Sequence, residues 1–204
     1  MLACIDLEDV LLPEIWVNIT EKTGIEELKL TTRDIADYEQ LMLQRIKILQ
    51  EHNLKLKDII NIINSLLPLK GSYDFLNWLK SEFQVIILLD TFYDFVTTLM
   101  KQLNFPKLFC PKLITKTNDK IVDYKLRQED HKTKVVNALQ SLNFQVITAG
   151  DSYNDIGMLK QANAVILFCP PDNVIEEFPQ FSIANNYNEF RFNLEKIKKQ
   201  LEGI

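Results

Sequence analysis

Apolar residues follow two alternating patterns along this chain. One pattern is a short and mainly apolar run of the length of a strand, found at residues 2–5, 85–89, 107–114, 145–149 and 164–168. In the other, apolar residues recur every three or four positions, at residues 13–22, 73–83, 92–103, 132–142, 154–162, 173–177 and 188–201. Mainly apolar runs are typical of parallel strands covered on both faces, and recurring apolar positions of amphipathic helices. Their alternation predicts an α/β fold with a doubly wound, Rossmann-like parallel sheet.

One long segment, residues 31–67, interrupts this alternation with helical spacing alone. The residues at that spacing are Ile35, Tyr38, Leu41, Met42, Arg45, Ile46 and Leu49, followed by Leu54, Ile59, Ile62, Ile63 and Leu66. Gly24 suits the end of the helix before it, and Pro68 and Gly71 mark the return to the alternating pattern. We therefore predict a small helical cap, residues 25–67, inserted after the first strand into a core of residues 1–24 and 68–204. A second feature is a hairpin that turns near Asn118 and Asp119.

Composition narrows the classes of partner. Charged residues make up 25% of the 204 residues, the formal net charge is −5, and no stripe of Lys and Arg offers a nucleic-acid footprint, so we expect no DNA or RNA partner. The apolar start ends at Asp6, too early for a signal segment or a membrane span, which favours a cytoplasmic protein without a membrane partner.

Cys4, Cys110 and Cys169 lie in apolar runs without CxxC spacing, which favours buried free thiols over disulfides or zinc.

Candidate chemistry lies where two of the predicted strands end. Asp6 and Glu8 follow the first strand, and the run 150–155, which contains Asp151 and Asp155, follows the strand at 145–149. Ligands of open α/β sheets collect beyond the carboxyl ends of the strands, so these carboxylates should converge at one edge. Converging carboxylates repel one another unless a cation lies between them, and oxygen ligands suit Mg²⁺. The pattern predicts a magnesium ion that holds a phosphate.

These motifs, in this order, resemble those of the haloacid dehalogenase superfamily of phosphohydrolases. The segments that carry the resemblance to its phosphoserine phosphatase branch are DLEDVLLPEIW, EKTGIEELKLTTRDI, QRIKIL, VIILLDTFYDF, LRQEDHK, AGDSYND and DNVIEEFPQF. They are most similar to the bacterial bifunctional phosphoserine phosphatase/homoserine phosphotransferases, which also carry Glu at the second position of the first motif. The resemblance runs from about residue 1 to about residue 190.

The resemblance implies a role for each acidic residue. Asp6 would be the nucleophile that forms an aspartyl-phosphate, and Glu8 the general acid and base. Asp151 would bind the metal together with Asp6 and the backbone carbonyl of Glu8. Asp155, at the start of a predicted helix, would cap free N–H groups and hold the loop or a metal-bound water.

The resemblance also assigns the groups that bind substrate. Lys132 would pair with Asp6 and the phosphate, with Lys134 as the alternative, and Asn154 would donate a hydrogen bond to the phosphate. Glu14 would face a substrate ammonium, and Arg45 would hold a substrate carboxylate unless it faces solvent as an ordinary cap residue. His52 and His131 lack partner spacing and are expected to be ordinary surface or packing residues.

Two positions depart from the family pattern. Leu89 stands where the second motif places a hydroxyl that bonds the phosphate, and Thr91 can compensate only if it turns inward. Asp9 replaces a glycine, which adds a negative charge near the phosphate and puts Asp where glycine has greater backbone freedom.

We expect a Mg²⁺-dependent phosphomonoesterase or phosphotransferase that acts on L-phosphoserine or a close hydroxy-amino-acid phosphate. The alternative, favoured by Leu89 and Asp9, is a catalytically weakened, ligand-binding or regulatory relative. Hydrolysis and transfer to homoserine both stay open, and so does assembly into a homodimer.

Overall fold

A parallel six-stranded sheet forms the centre of the fold. The structure is a computed structural model that describes residues 1–31, 34–35, 37–104 and 106–203. Its strands have the order β3-β2-β1-β6-β7-β8. Their bounds are Leu2–Ile5 (β1), Gln84–Leu88 (β2), Lys107–Phe109 (β3), Val146–Gly150 (β6), Ala164–Phe168 (β7) and Ser182–Ala184 (β8). A separate antiparallel hairpin consists of Lys112–Thr115 (β4) and Ile121–Lys125 (β5). The predicted doubly wound α/β fold is confirmed.

Helices pack on both faces of this sheet, and two further helices lie in the inserted segment. Their bounds are Ile15–Thr23 (α1), Tyr38–Glu51 (α2), Leu56–Ile63 (α3), Ser72–Glu82 (α4), Tyr93–Gln102 (α5), His131–Ser141 (α6), Ile156–Gln161 (α7), Asp172–Glu177 (α8) and Tyr187–Glu202 (α9). Alternate residues of β1 enter different apolar clusters, with Ala3 and Ile5 in one and Leu2 and Cys4 in the other. Two-sided burial explains why the central strands are continuous apolar runs in the sequence. None of the described helices is long and apolar enough to cross a bilayer.

The inserted helices α2 and α3 together form what we call the roof: Tyr38 and Arg45 of α2 line one cavity with Asp6, which follows β1, and α3 packs against α1 and α5. They are preceded by a 3₁₀ turn at Glu26–Lys29, and the predicted C-terminal glycine of α1, Gly24, adopts φ 71°. The hairpin β4–β5 packs against this roof, since Gln50 Nε2 donates to the Ile121 carbonyl at 3.0 Å and the Leu56 amide to the Asp119 carbonyl at 2.9 Å. The roof and the hairpin, which are distant in the sequence, therefore pack together as one unit.

Several local predictions need correction. The apolar run 107–114 is not one strand, because Pro111 lies between β3 and β4 and cannot donate a ladder hydrogen bond. The short strand β8 has too few apolar residues to have been predicted, and Ile35 lies before α2 rather than within it. Cys4 and Cys110 are buried free thiols, but Cys169 is exposed, because the chain turns at φ 46° directly after β7.

Candidate active site

The carboxyl ends of two neighbouring central strands carry the acidic residues. Asp6 directly follows β1 and Asp151 directly follows β6. Ile5 pairs with Ala149 across these strands, and the Asp6 amide donates to the Ala149 carbonyl at 2.9 Å. The structure thus brings the two acidic loops to one edge of the sheet.

Three buried carboxylates at this edge are close enough to share one cation. Asp6, Asp151 and Asp155 each offer an oxygen, and these oxygens lie within 4.8 Å of one another. A set of carboxylate oxygens fits Mg²⁺. Among the described residues, the Glu8 side chain does not belong to this group. Metal binding by Glu8 through its backbone carbonyl stays a prediction.

Lys132 supplies the only ammonium that contacts this cluster within the described ranges. Its Nζ lies 3.0 Å from Asp6 Oδ1, 2.8 Å from Asp155 Oδ1 and 2.8 Å from Asp90 Oδ2. Burial raises the pKa of Asp6 and outweighs the lowering by Lys132, and the other carboxylates raise that pKa further. Among the described residues, this single ammonium contacts the carboxylates of Asp6, Asp90 and Asp155, and a bound cation beside them would favour the ionised form of Asp6.

Asp155 has both carboxylate oxygens in hydrogen bonds. Oδ1 accepts from Lys132, and Oδ2 accepts from the Asp151 amide at 3.1 Å and the Ser152 amide at 3.5 Å. Gly150 permits this approach, because a Cβ there would lie 2.2 Å from Asp155 Oδ2. Asp155 therefore holds the loop that carries Asp151, as expected, whereas its side chain makes no capping hydrogen bond to α7.

The Glu8 carboxylate is held by two donors on different segments. Oε1 accepts from the Ile15 amide at 2.9 Å, and Oε2 accepts from the Thr91 hydroxyl at 2.6 Å. Burial, reinforced by the Glu14 carboxylate, raises the pKa of Glu8 to about 8 in spite of these bonds. A carboxyl group with such a pKa is suited to give and take a proton near neutral pH. Thr91 has the hydroxyl that the sequence suggests as a replacement for the one missing at Leu89. In the structure this hydroxyl donates its hydrogen to Glu8.

Asn154 lies on the rim of the site with its amide orientation fixed. The Ser152 hydroxyl donates to Asn154 Oδ1, and Asn154 Nδ2 donates to Asp90 Oδ2 at 3.0 Å. The side chain is exposed, so its second amide hydrogen is within reach of a ligand. This arrangement is compatible with the expected phosphate contact.

A cavity of about 190 Å³ extends from the carboxylates to the cap and contains the predicted substrate residues. Glu14 Oε2 caps α1 by accepting from the Trp16 amide at 2.7 Å. Arg45 is 4% exposed, its guanidinium lies 4.4 Å from the centre of the Trp16 ring, and its Nη2 donates to the Leu30 carbonyl. The predicted alternative of a solvent-facing Arg45 is wrong, because α2 turns this residue toward the core.

The two departures from the family pattern have different environments. Leu89 is 1% exposed, belongs to the main apolar cluster, and extends β2 through a bond from its amide to the Phe109 carbonyl. Asp9 adopts φ 54°, the left-handed conformation that glycine accepts at lower cost. Its side chain is exposed at the cavity, where water weakens its repulsion of an anion.

Asp90 and His131 are members of the site that the sequence predictions did not include. Asp90 follows β2 at the same edge of the sheet, and His131 Nε2 lies 3.1 Å from its Oδ1. Partial burial raises the pKa of Asp90, but Lys132 and His131 outweigh it and hold that pKa well below its usual range. His131 is thus more than a packing residue, whereas His52 and Lys134 are exposed as ordinary surface residues. The available signal was the position of Asp90 after a strand.

Comparison with known families gives one extended match. The model of the haloacid dehalogenase-like hydrolases matches residues 3–163. Two curated relatives are each 55% identical over 190 residues and 93% of this chain. One is a phosphoserine phosphatase of Pseudomonas syringae pv. tomato, of which 80% is covered, and the other is phosphoserine phosphatase ThrH of Pseudomonas aeruginosa, of which 93% is covered.

The fold also resembles solved structures at low sequence identity. A substrate-bound phosphoserine phosphatase complex shares 20% identity with a TM-score of 0.74, over 96% of this chain and 97% of that one. A phospho-aspartyl intermediate analogue of phosphoserine phosphatase shares 21% identity with a TM-score of 0.73, over 89% and 91% of the two chains. At these identities the likeness concerns the fold.

Proposed function

Because the chain belongs to the haloacid dehalogenase-like hydrolase family, we propose that it hydrolyses L-phosphoserine through an aspartyl-phosphate on Asp6. The observation that carries the proposal is that Asp6 lies beside Lys132 and within one group with the carboxylates of Asp151 and Asp155. The names of the two relatives at 55% identity support phosphoserine as the substrate.

Two side chains would carry out the covalent steps. The Asp6 carboxylate attacks phosphorus, the bond from phosphorus to the serine oxygen breaks, and the Glu8 carboxyl gives its proton to the departing oxygen. The Glu8 carboxylate then takes a proton from water, which attacks phosphorus and releases inorganic phosphate and Asp6. The Thr91 hydroxyl and the Ile15 amide hold Glu8 in one orientation for both transfers.

Asp6 and Asp151 would hold a magnesium ion, with Asp155 supporting the loop that carries Asp151. When bound, Mg²⁺ supplies positive charge that offsets the charge of the phosphoryl oxygens. Lys132 adds a second positive charge beside Asp6, and Asn154 contributes an amide donor at the rim. Together these groups balance the excess of carboxylates that would otherwise repel a phosphate.

The amino-acid part of the substrate would lie in the cavity under the cap. Arg45 presents a buried guanidinium there for the carboxylate, and Glu14 presents a carboxylate for the ammonium. The resemblance to bifunctional enzymes extends the proposal to a second acceptor, because the hydroxyl of homoserine can replace water in the second step. Glu8 would then deprotonate that hydroxyl.

A second candidate function, that of a weakened binding or regulatory protein, is favoured by one observation. Leu89 places a buried apolar side chain where the family has a hydroxyl donor for the phosphate. Loss of a hydrogen bond to a charged group reduces a rate by roughly tenfold to more than a hundredfold. This candidate predicts ligand binding with little turnover.

Release of phosphate from L-phosphoserine with Mg²⁺, with and without homoserine, tests these proposals. We expect turnover, and we expect O-phosphohomoserine to appear when homoserine is added. Phosphoethanolamine, which lacks the carboxylate, is the matched control and should be a much poorer substrate. Saturable binding of phosphoserine without phosphate release would replace the enzymatic proposal by the regulatory one.

A further inference from the structure

Asp90 contacts three other elements of the site, which are α6, the loop after β6 and, through its backbone carbonyl, α2. Its Oδ2 lies 2.8 Å from Lys132 Nζ and accepts from Asn154 Nδ2 at 3.0 Å. Its Oδ1 lies 3.1 Å from His131 Nε2. The two groups assigned to the phosphate therefore share one carboxylate oxygen, although they lie on different elements, α6 and the loop after β6.

Because Lys132 and Asn154 bind the same carboxylate oxygen, Asp90 restricts the positions of both side chains. Lysine has a flexible stem of four carbons, and its ammonium stays in one position only when several acceptors surround it. Asp6 and Asp155 contact Nζ as well, and Asp90 completes the set. For Asn154, the bond to Asp90 selects which end of the amide faces the site. A charged acceptor makes each of these bonds stronger than a neutral one would.

The backbone of Asp90 is linked to the cap. The hydroxyl of Tyr38, the first residue of α2, donates to the Asp90 carbonyl at 2.6 Å. The same helix carries Arg45, and the Tyr38 ring is packed edge-on against Tyr124 of the hairpin at 6.0 Å. A displacement of the cap would thus remove a bond from the residue that fixes Lys132 and Asn154.

We propose that Asp90 is a positioning residue that holds Lys132 and Asn154 against the phosphate, and that its bond from Tyr38 makes this hold depend on the cap. The proposal rests on the proposed function, since it takes Lys132 and Asn154 to be phosphate-binding groups. It assigns Asp90 no contact with the reacting atoms.

Replacement of the carboxylate is the first test. In the Mg²⁺-loaded protein, Asp90→Ala should reduce kcat/KM for phosphoserine and weaken binding of inorganic phosphate by about tenfold to a hundredfold. Asp90→Asn keeps an acceptor oxygen without the charge and should recover part of the loss. The matched control is Asp123→Asn on the exposed hairpin, whose carboxylate accepts from the Tyr124 amide. Unchanged phosphate binding in folded Asp90→Asn and Asp90→Ala would overturn the proposal.

A double-mutant cycle separates positioning from a general structural effect. If Asp90 acts partly through Asn154, then Asp90→Asn should cost less in an Asn154→Ala background than in the parent. Losses that multiply independently would show that Asp90 does not act through Asn154. Melting temperatures of all four proteins identify variants that have lost the fold.

Tyr38→Phe tests the link to the cap, with Tyr124→Phe as the control because it removes a hydroxyl from the ring packed against Tyr38. We expect Tyr38→Phe to weaken inorganic phosphate binding about twofold to tenfold, the range for one neutral hydrogen bond. Tyr124→Phe should not change it. A Tyr38→Phe protein that loses affinity for phosphoserine but retains its affinity for inorganic phosphate would contradict the link.

Activity and phosphate binding of the parent protein distinguish a failure of the positioning role from a failure of the proposed function. A parent that hydrolyses phosphoserine, with Asp90 variants indistinguishable from it, overturns the positioning role and leaves the proposed function intact. A parent that neither binds inorganic phosphate nor releases it from phosphoserine overturns both.

Discussion

The hydroxyl of Thr91 donates a hydrogen bond to Glu8 Oε2 at 2.6 Å, which joins the segment after β2 to the loop after β1. A hydroxyl has one hydrogen to give, so this bond directs Thr91 toward the proposed general acid. Thr91→Val should therefore reduce kcat about tenfold with little change in phosphate binding, because it removes the hydrogen bond that orients Glu8 and keeps the shape of the side chain. Steady-state kinetics and calorimetry with inorganic phosphate provide the check.

Thr91→Ser is the matched control for this change, since it retains the hydroxyl. It should keep most of the activity. A loss of phosphate affinity in Thr91→Val as large as the loss in kcat would instead place Thr91 among the groups that bind phosphate.

Asp6→Asn should remove turnover while the fold is retained. The substitution replaces the attacking carboxylate by an amide that cannot form the acyl-phosphate, and it removes a charge that lies beside three other carboxylates. Phosphate release should fall below detection, and the melting temperature should stay close to that of the parent. Parental activity in Asp6→Asn would eliminate the aspartyl-phosphate mechanism.

Removal of Mg²⁺ should abolish turnover reversibly. Chelation takes away the charge that offsets the carboxylates, and added Mg²⁺ should restore activity. Asp151→Asn should weaken Mg²⁺ binding, measured by titration calorimetry, because it replaces one charged oxygen of the buried group. Glu177→Gln, at a carboxylate that accepts from Tyr153 on the outside of the same region, is the control. Full activity in the chelated protein would exclude a required metal.

Arg45→Ala should impair phosphoserine far more than a generic aryl phosphate. Only phosphoserine has a carboxylate for the buried guanidinium, and loss of a charged hydrogen bond weakens binding by about tenfold to a hundredfold. Lys47→Ala is the control on the same helix, where Lys47 is exposed and pairs with Glu51. Equal losses on both substrates would assign Arg45 to packing against Trp16.

Leu89→Ser should raise phosphatase activity by roughly tenfold to a hundredfold if the missing hydroxyl is the main defect. The same change removes a buried leucine, so the free energy of unfolding should fall by about 2–5 kcal/mol. Activity and melting temperature therefore need to be measured on the same preparation.

Asp9→Gly is the companion variant. It should relieve the left-handed strain at φ 54°, and it should increase turnover only if the carboxylate faces the phosphate. If neither variant nor their combination turns over phosphoserine while Mg²⁺ still binds, the regulatory alternative replaces catalysis.

The sequence predicted the central strands because burial on both faces leaves a continuous apolar run, and it predicted Asp6 and Asp151 as neighbours because they end two such runs. It did not predict the break at Pro111 or the short strand β8, whose positions depend on packing rather than on local pattern. Asp90 also follows a strand, but the sequence does not show which side chains this aspartate contacts, and its importance comes from contacts with residues that are distant in the chain.

The hairpin β4–β5 and the cap helices form hydrogen bonds with each other, although they are distant in the sequence. For protein engineering this means that residues 25–67 are not a transferable module. A chimera whose new cap carries an apolar residue at position 50 would leave the Ile121 carbonyl without the side-chain donor that Gln50 supplies. Exchange of substrate preference between relatives should therefore transplant residues 112–125 together with the cap.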